Sequence, residues 1–84
     1  MTTAQDARSL VLDVLQEVAP DVQTDALEPE TRLQEDLDLD SMDFMNFVAG
    51  LSERTGLEIP ERDYARLSTI GACTEYLVAE EAPS

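Results

Sequence analysis

The sequence predicts an all-α fold, a small four-helix bundle with three main helices, one short helix and a long loop between the first two main helices. Three observations predict it. Apolar residues recur at three- and four-residue steps in three separate segments, which is the period of a helix buried on one face. Pro20, Pro29 and Pro60 fall between those segments, where proline ends or blocks a helix. The chain has 84 residues, enough for one small core, so we expect a single domain over residues 1–84.

The first main helix is predicted over residues 3–19. Thr3 can cap its start, because a threonine oxygen accepts a hydrogen bond from a free amide of the first turn. Pro20 blocks its continuation. The apolar residues of its inner face are Ala7, Leu10, Val11, Val14, Leu15 and Val18.

A loop is predicted over residues 20–40, which show no sustained hydrophobic period. Leu27, Leu33 and Leu37 are expected to anchor it to the core. Apolar and acidic residues alternate over 36–40, but aspartate is disfavoured in strands, so this stretch is predicted as loop. A connection of this length in so small a domain is often functional.

The second main helix is predicted over residues 41–55. Asp40 can cap its start, Asp43 favours the positive end of the helix dipole, and Gly56 fits the C-terminal stop. Gly50 lies in mid-helix and is expected where another backbone approaches closely. The apolar face is predicted to comprise Phe44, Met45, Phe47, Val48 and Leu51.

A short helix follows an extended link over residues 57–60. It is predicted to begin at Pro60 or Glu61 and to end at Leu67, with Tyr64 and Leu67 facing inward. The link separates this helix from the second main helix, so the two can pack as distinct elements.

The last main helix is predicted from a cap at Ser68 or Thr69 through about Glu80. Residues 80–84 are expected to form a frayed tail. The inner face of this helix is predicted to contain Ile70, Cys73, Tyr76 and Leu77. Because the chain has one cysteine, no internal disulfide forms, and Cys73 is interpreted as a small core residue.

The charge composition restricts the partners. There are 19 acidic residues against five arginines, with no lysine, for a net charge of -14. Phosphate-backbone binding needs clustered positive charge, so we expect no nucleic acid partner, whereas an acidic surface suits basic proteins. No apolar run approaches the ~20 residues that span a bilayer, and the N-terminus lacks a secretory layout. We therefore expect a cytoplasmic monomer that does not enter a membrane.

Missing residue types exclude several catalytic classes. Without histidine, the chain has neither a Ser-His nor a Cys-His nucleophile pair. Without lysine, it has neither a P-loop nor a Schiff-base lysine. We therefore expect a protein that is not an enzyme and has no catalytic residues.

Ser41 stands in EDLDLDSMDF, residues 35–44, where the loop ends and a helix begins. One interpretation is structural, since serine is common as a helix cap or first helical residue. A second is a calcium loop of the EF-hand type. Counted from Asp36 or from Asp38, however, the glycine required at position 6 and the glutamate required at position 12 are both missing. We expect no metal site there.

A third interpretation of Ser41 is covalent attachment. A hydroxyl at a helix start is exposed, and the free amides and dipole of that helix end favour an attached anionic phosphate. Because the sequence offers no base to activate Ser41, another enzyme would have to modify it.

The segment that contains Ser41 resembles the acyl carrier proteins. The similarity covers TRLQEDLDLDSMDF at 31–44, ERTGLEIP at 53–60 and ERDYARLSTIGACTEYL at 61–77. The resemblance implies a four-helix bundle with the first helix antiparallel to the rest of the main bundle. It implies that Ser41 carries 4′-phosphopantetheine through a phosphodiester, transferred from coenzyme A by a phosphopantetheinyl transferase. The thiol of this arm would hold acyl groups as thioesters.

The resemblance also implies partner enzymes. These are the transferase and the acyl-loading and acyl-processing enzymes, whose basic docking surfaces would meet the acidic carrier. Asp40, Met42 and Asp43 are predicted to make the contacts around the attachment point.

Two departures from the family pattern stand out. Many members have glycine at the position of Asp38, so Asp38 is predicted to adopt a left-handed or turn conformation. Fatty-acid-synthesis carriers tend to have more acid along the helix after the serine. The differing residues here are Asn46, Ala49, Ser52 and Arg54. They favour a carrier for polyketide-type or other specialised acyl chemistry, with a fatty-acid-related role left open.

Two alternatives remain open from sequence alone. The chain could instead be an unmodified acidic interaction module, an adaptor or a mimic of nucleic-acid charge. Separately, an attached acyl chain could be partly sheltered inside the bundle, near or below Ser41, or the apolar residues there could be ordinary core. The residues concerned are Phe44, Phe47, Val48 and Gly50.

Overall fold

The computed structural model describes residues 3–81. Its α-helices are α1 (Ala4–Val18), α2 (Ser41–Thr55) and α3 (Ile70–Glu81), and a short 3₁₀ helix (Glu61–Leu67) lies between α2 and α3. The loop between α1 and α2 contains one 3₁₀ turn (Thr24–Ala26). Over the described range there is no strand, which confirms the predicted all-α bundle of three main helices and one short helix.

Helix α1 packs against both α2 and α3. Its start is capped as predicted, since the Asp6 amide donates to Thr3 Oγ1 at 3.1 Å. Its fully buried residues recur with the period of one helical face, and Leu10 and Val18 lie half-buried at the edge of that face. The buried residues are Ala7, Val11, Val14 and Leu15. None of the helices described is both long and apolar enough to cross a bilayer.

Helix α2 begins and ends where the sequence predicts. The Asp43 amide donates to Asp40 Oδ1 at 2.8 Å, and Gly56 closes the helix in the left-handed conformation with φ 75°. The prediction that Met45 is buried is wrong, because its side chain is 58% exposed. Met45 falls beside the stripe of residues three and four apart that faces the core. That stripe comprises Phe44, Phe47, Val48 and Leu51.

Helices α1 and α2 approach each other closely at Gly50. A Cβ at this position would lie 2.7 Å from Val14 Cγ1. The prediction that another backbone approaches Gly50 is therefore wrong, because the atoms nearest to this position belong to the side chain of Val14 in α1. The missing Cβ lets Val14 fill this space.

The long loop is anchored by leucines, with one difference from the prediction. Leu27 and Leu33 are buried as expected, whereas Leu37 is only half-buried and Leu39 is buried in addition. Asp38 lies between these two leucines with φ 62°. The left-handed backbone at Asp38 changes the direction of the chain between Leu37 and Leu39. The two leucines therefore do not have to lie on the same face, as they would in a strand with a two-residue alternation.

The loop is also tied to the start of α3 through its backbone. The Leu33 amide donates to the Ser68 carbonyl at 3.0 Å, and the Ile70 amide donates to the Thr31 carbonyl at 3.1 Å. Between them, Arg32 and Thr69 form an isolated antiparallel bridge. These bonds fix residues 31–33 of the loop to the start of α3.

Helix α3 is capped by Thr69, since the Ala72 amide donates to Thr69 Oγ1 at 3.0 Å. Of the two predicted caps, Ser68 and Thr69, the structure therefore shows Thr69. The helix continues to Glu81, so the predicted frayed tail at 80–84 is wrong for its first two residues. The remaining positions of that predicted tail, 82–84, lie outside the described residues.

The short 3₁₀ helix is held to α3 by a side-chain network. Tyr76 Oη donates to Asp63 Oδ2 at 2.8 Å, and the Arg66 guanidinium lies 4.7 Å from the centre of the Tyr76 ring. Arg66 also pairs with Glu80 at 3.7 Å. Burial, followed by the bond to Asp63, raises the pKa of Tyr76 to about 12, so the phenol stays protonated and keeps donating over the physiological range.

Candidate functional site

Ser41 is the first residue of α2 and its side chain is exposed. Asp40, and not Ser41, is the N-cap residue of α2, so Ser41 has no capping role. Among residues 3–81, the Ser41 hydroxyl makes no hydrogen bond. The side chain is therefore accessible to a modifying enzyme, and its oxygen is not engaged in a hydrogen bond to another described residue.

The start of α2 offers amides that suit an attached phosphate. The Asp43 amide is used by the Asp40 side chain, and the Phe44 amide by the Asp40 carbonyl at 2.9 Å. The amides of Ser41 and Met42 have no partner within the described part of the chain. Free amides at a helix start, together with the helix dipole, favour an anion, so these residues fit the phosphate of 4′-phosphopantetheine.

The negative charge around Ser41 is not neutralised within the described chain. Arg32 is the only base between residues 25 and 43, and it pairs with Glu35 at 2.5 Å and with Asp36 at 3.3 Å. The backbone amide and guanidinium of Arg32 lower the pKa of Asp36.

No described arginine forms an ion pair with Asp38, Asp40 or Asp43. These three carboxylates therefore give the surface around Ser41 a negative potential.

Exposed apolar side chains flank Ser41 on α2. Met42 is 74% exposed and Met45 is 58% exposed, and they are the large hydrophobic side chains most open to solvent in the described range. The predicted contact residues Asp40, Met42 and Asp43 therefore lie together with Ser41 at one helix end. Met45 belongs to the same surface, and it was not among the predicted contact residues because its helical spacing predicted a core position.

Two pockets lie between α2, the long loop and the short helix, and Ser41 lines one of them. The first, which we call the serine pocket, has a volume of about 320 Å³ and is lined by Gln34, Ser41, Phe44, Met45, Glu61 and Tyr64. The second, which we call the loop pocket, has a volume of about 360 Å³. It shares three of these residues and adds, among others, Leu33, Glu35, Ala65 and Ser68. The contribution of Gln34 was not predicted, since nothing in the residues around it signals that it lines a pocket together with Tyr64.

The bundle interior below Ser41 is filled. Phe47 is fully buried and Val48 nearly so, and Val14 takes the space that the absent side chain of Gly50 leaves open. The expectation that Gly50 provides room for an acyl chain is therefore not supported.

Cys73 cannot supply a carrier thiol. It is fully buried, and its Sγ donates to the Leu67 carbonyl at 3.5 Å. Burial raises the pKa of the Cys73 thiol to about 12, so little reactive thiolate forms near neutral pH. The predicted role of Cys73 as a core residue is confirmed, and a reactive thiol would have to come from an attached group.

Asp38 adopts the predicted left-handed conformation, with φ 62°. A Cβ in this region costs most residues roughly 1–2 kcal/mol, and β-branched residues suffer most. We expect Asp38→Gly to leave the free energy of unfolding unchanged or to raise it by up to about 1 kcal/mol, and Asp38→Val to lower it by about 1–2 kcal/mol. Urea unfolding of the two variants measures both effects. Identical midpoints for both and for the parent would contradict the strain at this turn.

Comparison with known sequences agrees with the geometry of this site. A family model described as a phosphopantetheine attachment site matches residues 8–77. The acyl carrier protein of Lactobacillus johnsonii is 35% identical over 60 residues, which are 71% of this chain and 75% of that protein. The acyl carrier protein of Rubrobacter xylanophilus is 30% identical over 77 residues, which are 88% of this chain and 95% of that protein.

Solved structures show the same fold. The acyl carrier protein of Enterococcus faecalis superposes with a TM-score of 0.71 at 30% identity and covers 94% of this chain and 98% of its own. A putative acyl carrier protein from Anaplasma phagocytophilum superposes with a TM-score of 0.84, covering 100% of this chain and 98% of its own. Because the Anaplasma phagocytophilum protein is 23% identical to this chain, its similarity supports the fold alone.

The family model spans most of the chain, and the Rubrobacter xylanophilus protein, at 30% identity, is matched over 95% of its length. These relatives are carriers and not enzymes, which agrees with the absence of histidine and lysine from the sequence. The chain therefore belongs to the acyl carrier protein family, whose prosthetic group is a covalently attached 4′-phosphopantetheine.

Proposed function

We propose that Ser41 is the attachment residue of this acyl carrier. Its Oγ forms a bond to phosphorus of coenzyme A, the pyrophosphate bond breaks, and the adenosine bisphosphate leaves. The hydroxyl proton passes to a base of the transferase. The observation that carries the proposal is the exposed Ser41 hydroxyl, free of hydrogen bonds to the described residues, at the start of α2.

The chain's own contribution is to hold and deliver the attached acyl group. The arm supplies the thiol on which acyl groups are carried as thioesters. Docking of the carrier raises the local concentration of that thioester at a partner enzyme, which is an effect of tethering and needs no catalytic group here. We propose that residues 1–84 act as one monomeric domain in the cytoplasm. The small exposed apolar surface of the described residues, mainly Met42 and Met45, supports the monomer.

Specialised acyl chemistry, of the polyketide type or similar, is the class of pathway we propose. On the outer face of α2, Asn46 and Ala49 are exposed without charge, and Arg54 forms an ion pair with Glu17. The negative charge is concentrated instead in the segment that leads up to and includes Ser41 and Asp43, where eight of the 19 acidic residues lie between Asp25 and Asp43. A fatty-acid-related pathway is the second candidate, in keeping with the acyl carrier proteins that the chain resembles.

Intact-mass measurement separates the carrier from an unmodified acidic module. The purified chain is incubated with coenzyme A and a phosphopantetheinyl transferase of broad specificity. We expect a gain of one phosphopantetheine and one thiol that reacts with a disulfide reagent under native conditions, since Cys73 is buried. An unchanged mass, in a reaction that converts a known carrier completely, would overturn the proposal.

Charge reversal at Asp43 should slow the modification. Asp43 lies in the first turn of α2, two residues after Ser41, and no described arginine neutralises it. An exposed charge pair contributes ~0.2–1 kcal/mol, and reversal turns attraction to a basic transferase into repulsion of similar size. We expect Asp43→Arg to lower kcat/KM for modification by roughly 2- to 30-fold. Thermal melting of the variant reports the separate cost of a cation at the helix start, about 0.3–1 kcal/mol.

The matched control is Asp13→Arg, which makes the same charge change at an exposed position on α1. It should leave kcat/KM within about twofold of the parent, because exposed charges more than about 8–10 Å apart are screened at physiological salt. Added salt should slow modification of the parent and raise its melting temperature, as screening weakens both docking and self-repulsion. Equal losses in both variants, or a rate indifferent to salt, would assign the acidic surface to solubility alone.

A further inference from the structure

Two methionine side chains are exposed beside Ser41 on α2. Met42 follows the serine directly and is 74% exposed, and Met45 is 58% exposed and lines the serine pocket together with Ser41. They stand three residues apart in one helix, a spacing that makes side chains neighbours on its surface. No other large hydrophobic side chain of the described residues is exposed to this extent. The thioether sulfurs of both methionines are therefore open to reagents in solution.

The other sulfur of the described residues is closed to solvent. Cys73 is fully buried, and burial raises the pKa of its thiol to about 12. Oxidation of a cysteine follows its thiolate character and its exposure, and Cys73 has neither. Met1, the third methionine of the chain, lies outside the described residues. Before the arm is attached, an oxidant in solution therefore reaches the two methionines of α2 before it reaches Cys73.

Oxidation of Met42 and Met45 leaves the core of the bundle intact. Neither side chain belongs to the buried core of the described residues. A sulfoxide oxygen on an exposed side chain is hydrated by water, whereas the same oxygen in a core would need a hydrogen-bond partner there. The change from thioether to sulfoxide therefore acts on the surface of α2 without unfolding it. The core residues of α2 are Phe44, Phe47, Val48 and Leu51.

The same change is unfavourable once a partner enzyme covers the methionines. A thioether is apolar and flexible and adapts to an apolar partner surface, whereas a sulfoxide is polar. Asp40 and Asp43 stand on either side of Met42 in the sequence, and carboxylates accept hydrogen bonds but do not donate them. The flanking side chains therefore offer the new oxygen no donor when docking removes its water, so docking becomes weaker.

We infer that Met42 and Met45 form a reversible oxidation site that weakens docking of partner enzymes beside Ser41. The inference rests on the proposed attachment at Ser41. In the oxidation, the sulfur attacks one oxygen of hydrogen peroxide, an S–O bond forms and the O–O bond breaks. The other oxygen takes a proton and leaves as water, so sulfur loses two electrons and peroxide gains them. Methionine sulfoxide reductases reverse the step with two thiols, which become a disulfide while the oxygen leaves as water.

The charge around the site favours an uncharged oxidant. No described arginine forms an ion pair with Asp40 or Asp43, so the surface around Met42 has a negative potential that repels anions. Hydrogen peroxide carries no charge near neutral pH, so this potential does not hold it away from the sulfur. The structure therefore assigns the oxidant to the class of neutral peroxides.

Transfer of phosphopantetheine to the peroxide-treated parent chain tests the inference. The chain is treated before the arm is attached, so that no arm thiol competes, and catalase then removes the peroxide. Fragment mass spectra should place one added oxygen on Met42 and one on Met45, and none on Cys73. We expect kcat/KM for transfer to fall roughly 5- to 100-fold, as for an interface oxygen left without its hydrogen-bond partner. The melting temperature should fall by less than about 4 °C.

The matched control replaces both residues, Met42→Leu together with Met45→Leu. Each protein is compared with its own untreated sample, so a change in the starting rate of the variant does not enter the comparison. The double variant retains Met1 and Cys73 and so reports oxidation elsewhere, and its rate should be the same before and after treatment. The single variants should each keep part of the sensitivity. Treatment of the oxidised parent with both classes of methionine sulfoxide reductase and dithiothreitol should restore the rate.

Several results would overturn the inference. They are an unchanged rate in the oxidised parent, an equal loss in the double variant, a loss accompanied by unfolding, and a loss that the reductases do not reverse. Each of these leaves the attachment residue unaffected, because the untreated parent still gains one phosphopantetheine. An untreated parent that gains no mass would instead overturn the attachment at Ser41 itself.

Discussion

Ser41→Ala is expected to abolish modification while leaving the fold intact. The variant should gain no mass with coenzyme A and a phosphopantetheinyl transferase under conditions that convert the parent completely. The reason is that the other described serines lack its setting, an exposed hydroxyl at the start of a main helix. Ser9 lies within α1, Ser52 lies within α2 and donates to the Leu57 carbonyl at 2.6 Å, and Ser68 follows the short helix.

Folding of Ser41→Ala should be nearly unchanged, because the cap belongs to Asp40. Loss of a capping side chain costs about 1 kcal/mol, so the change in the free energy of unfolding should stay below that value. For a domain of this size, the melting temperature should then fall by less than about 4–8 °C. Ser9→Ala is the matched control and should be modified at the parent rate. A mass gain of one phosphopantetheine in Ser41→Ala would contradict the assignment.

Gly50→Val is expected to be the most destabilising of the changes considered. The first carbon of any side chain at Gly50 would lie 2.7 Å from Val14 Cγ1, and Val14 is fully buried with little rotamer freedom. Overpacking of a core contact costs about 1–3 kcal/mol, and we expect the upper end because valine adds two further methyl groups. Ala49→Val, at the exposed neighbouring position, should cost less than about 1 kcal/mol. Urea unfolding compares the two directly.

A second-site change tests whether the contact with Val14 is the cause. Val14→Ala alone should destabilise by leaving space in the core. Combined with Gly50→Val, it should recover part of the lost stability, because the new side chain occupies the vacated volume. The expected coupling energy between the two positions is about 0.5–3 kcal/mol. Strictly additive effects, or a Gly50→Val protein as stable as Ala49→Val, would contradict the close contact between α1 and α2.

The elements with strong local signals were predictable from the sequence. The bounds of α2 agree with the structure because its cap, its apolar period and its terminal glycine lie within one segment. The turn at Asp38 was predicted from the resemblance, because many acyl carrier proteins have glycine at this position and aspartate accepts a left-handed backbone better than most residues. In both places, the physical determinant is a property of consecutive residues.

The details that define the two pockets were not predictable, since they depend on contacts distant in sequence. Tyr64 was expected to face inward, but its partner Phe44 lies on another element, and no local pattern joins them. The bond from Tyr76 to Asp63 is of the same kind. Helical period placed Met45 on the inner face because its spacing is close to that of true core residues, and only packing against α1 decides the edge of the stripe.

The most direct test of the central claim, that Ser41 alone carries the prosthetic group, is fragment mass spectrometry of the modified parent chain. It uses the unaltered protein, so no change in folding can affect the outcome. We predict one phosphopantetheine per chain, with the added mass confined to fragments that contain Ser41 and assigned to that residue by fragments ending on either side of it. Added mass on any other residue, or a second modified position, would contradict the account.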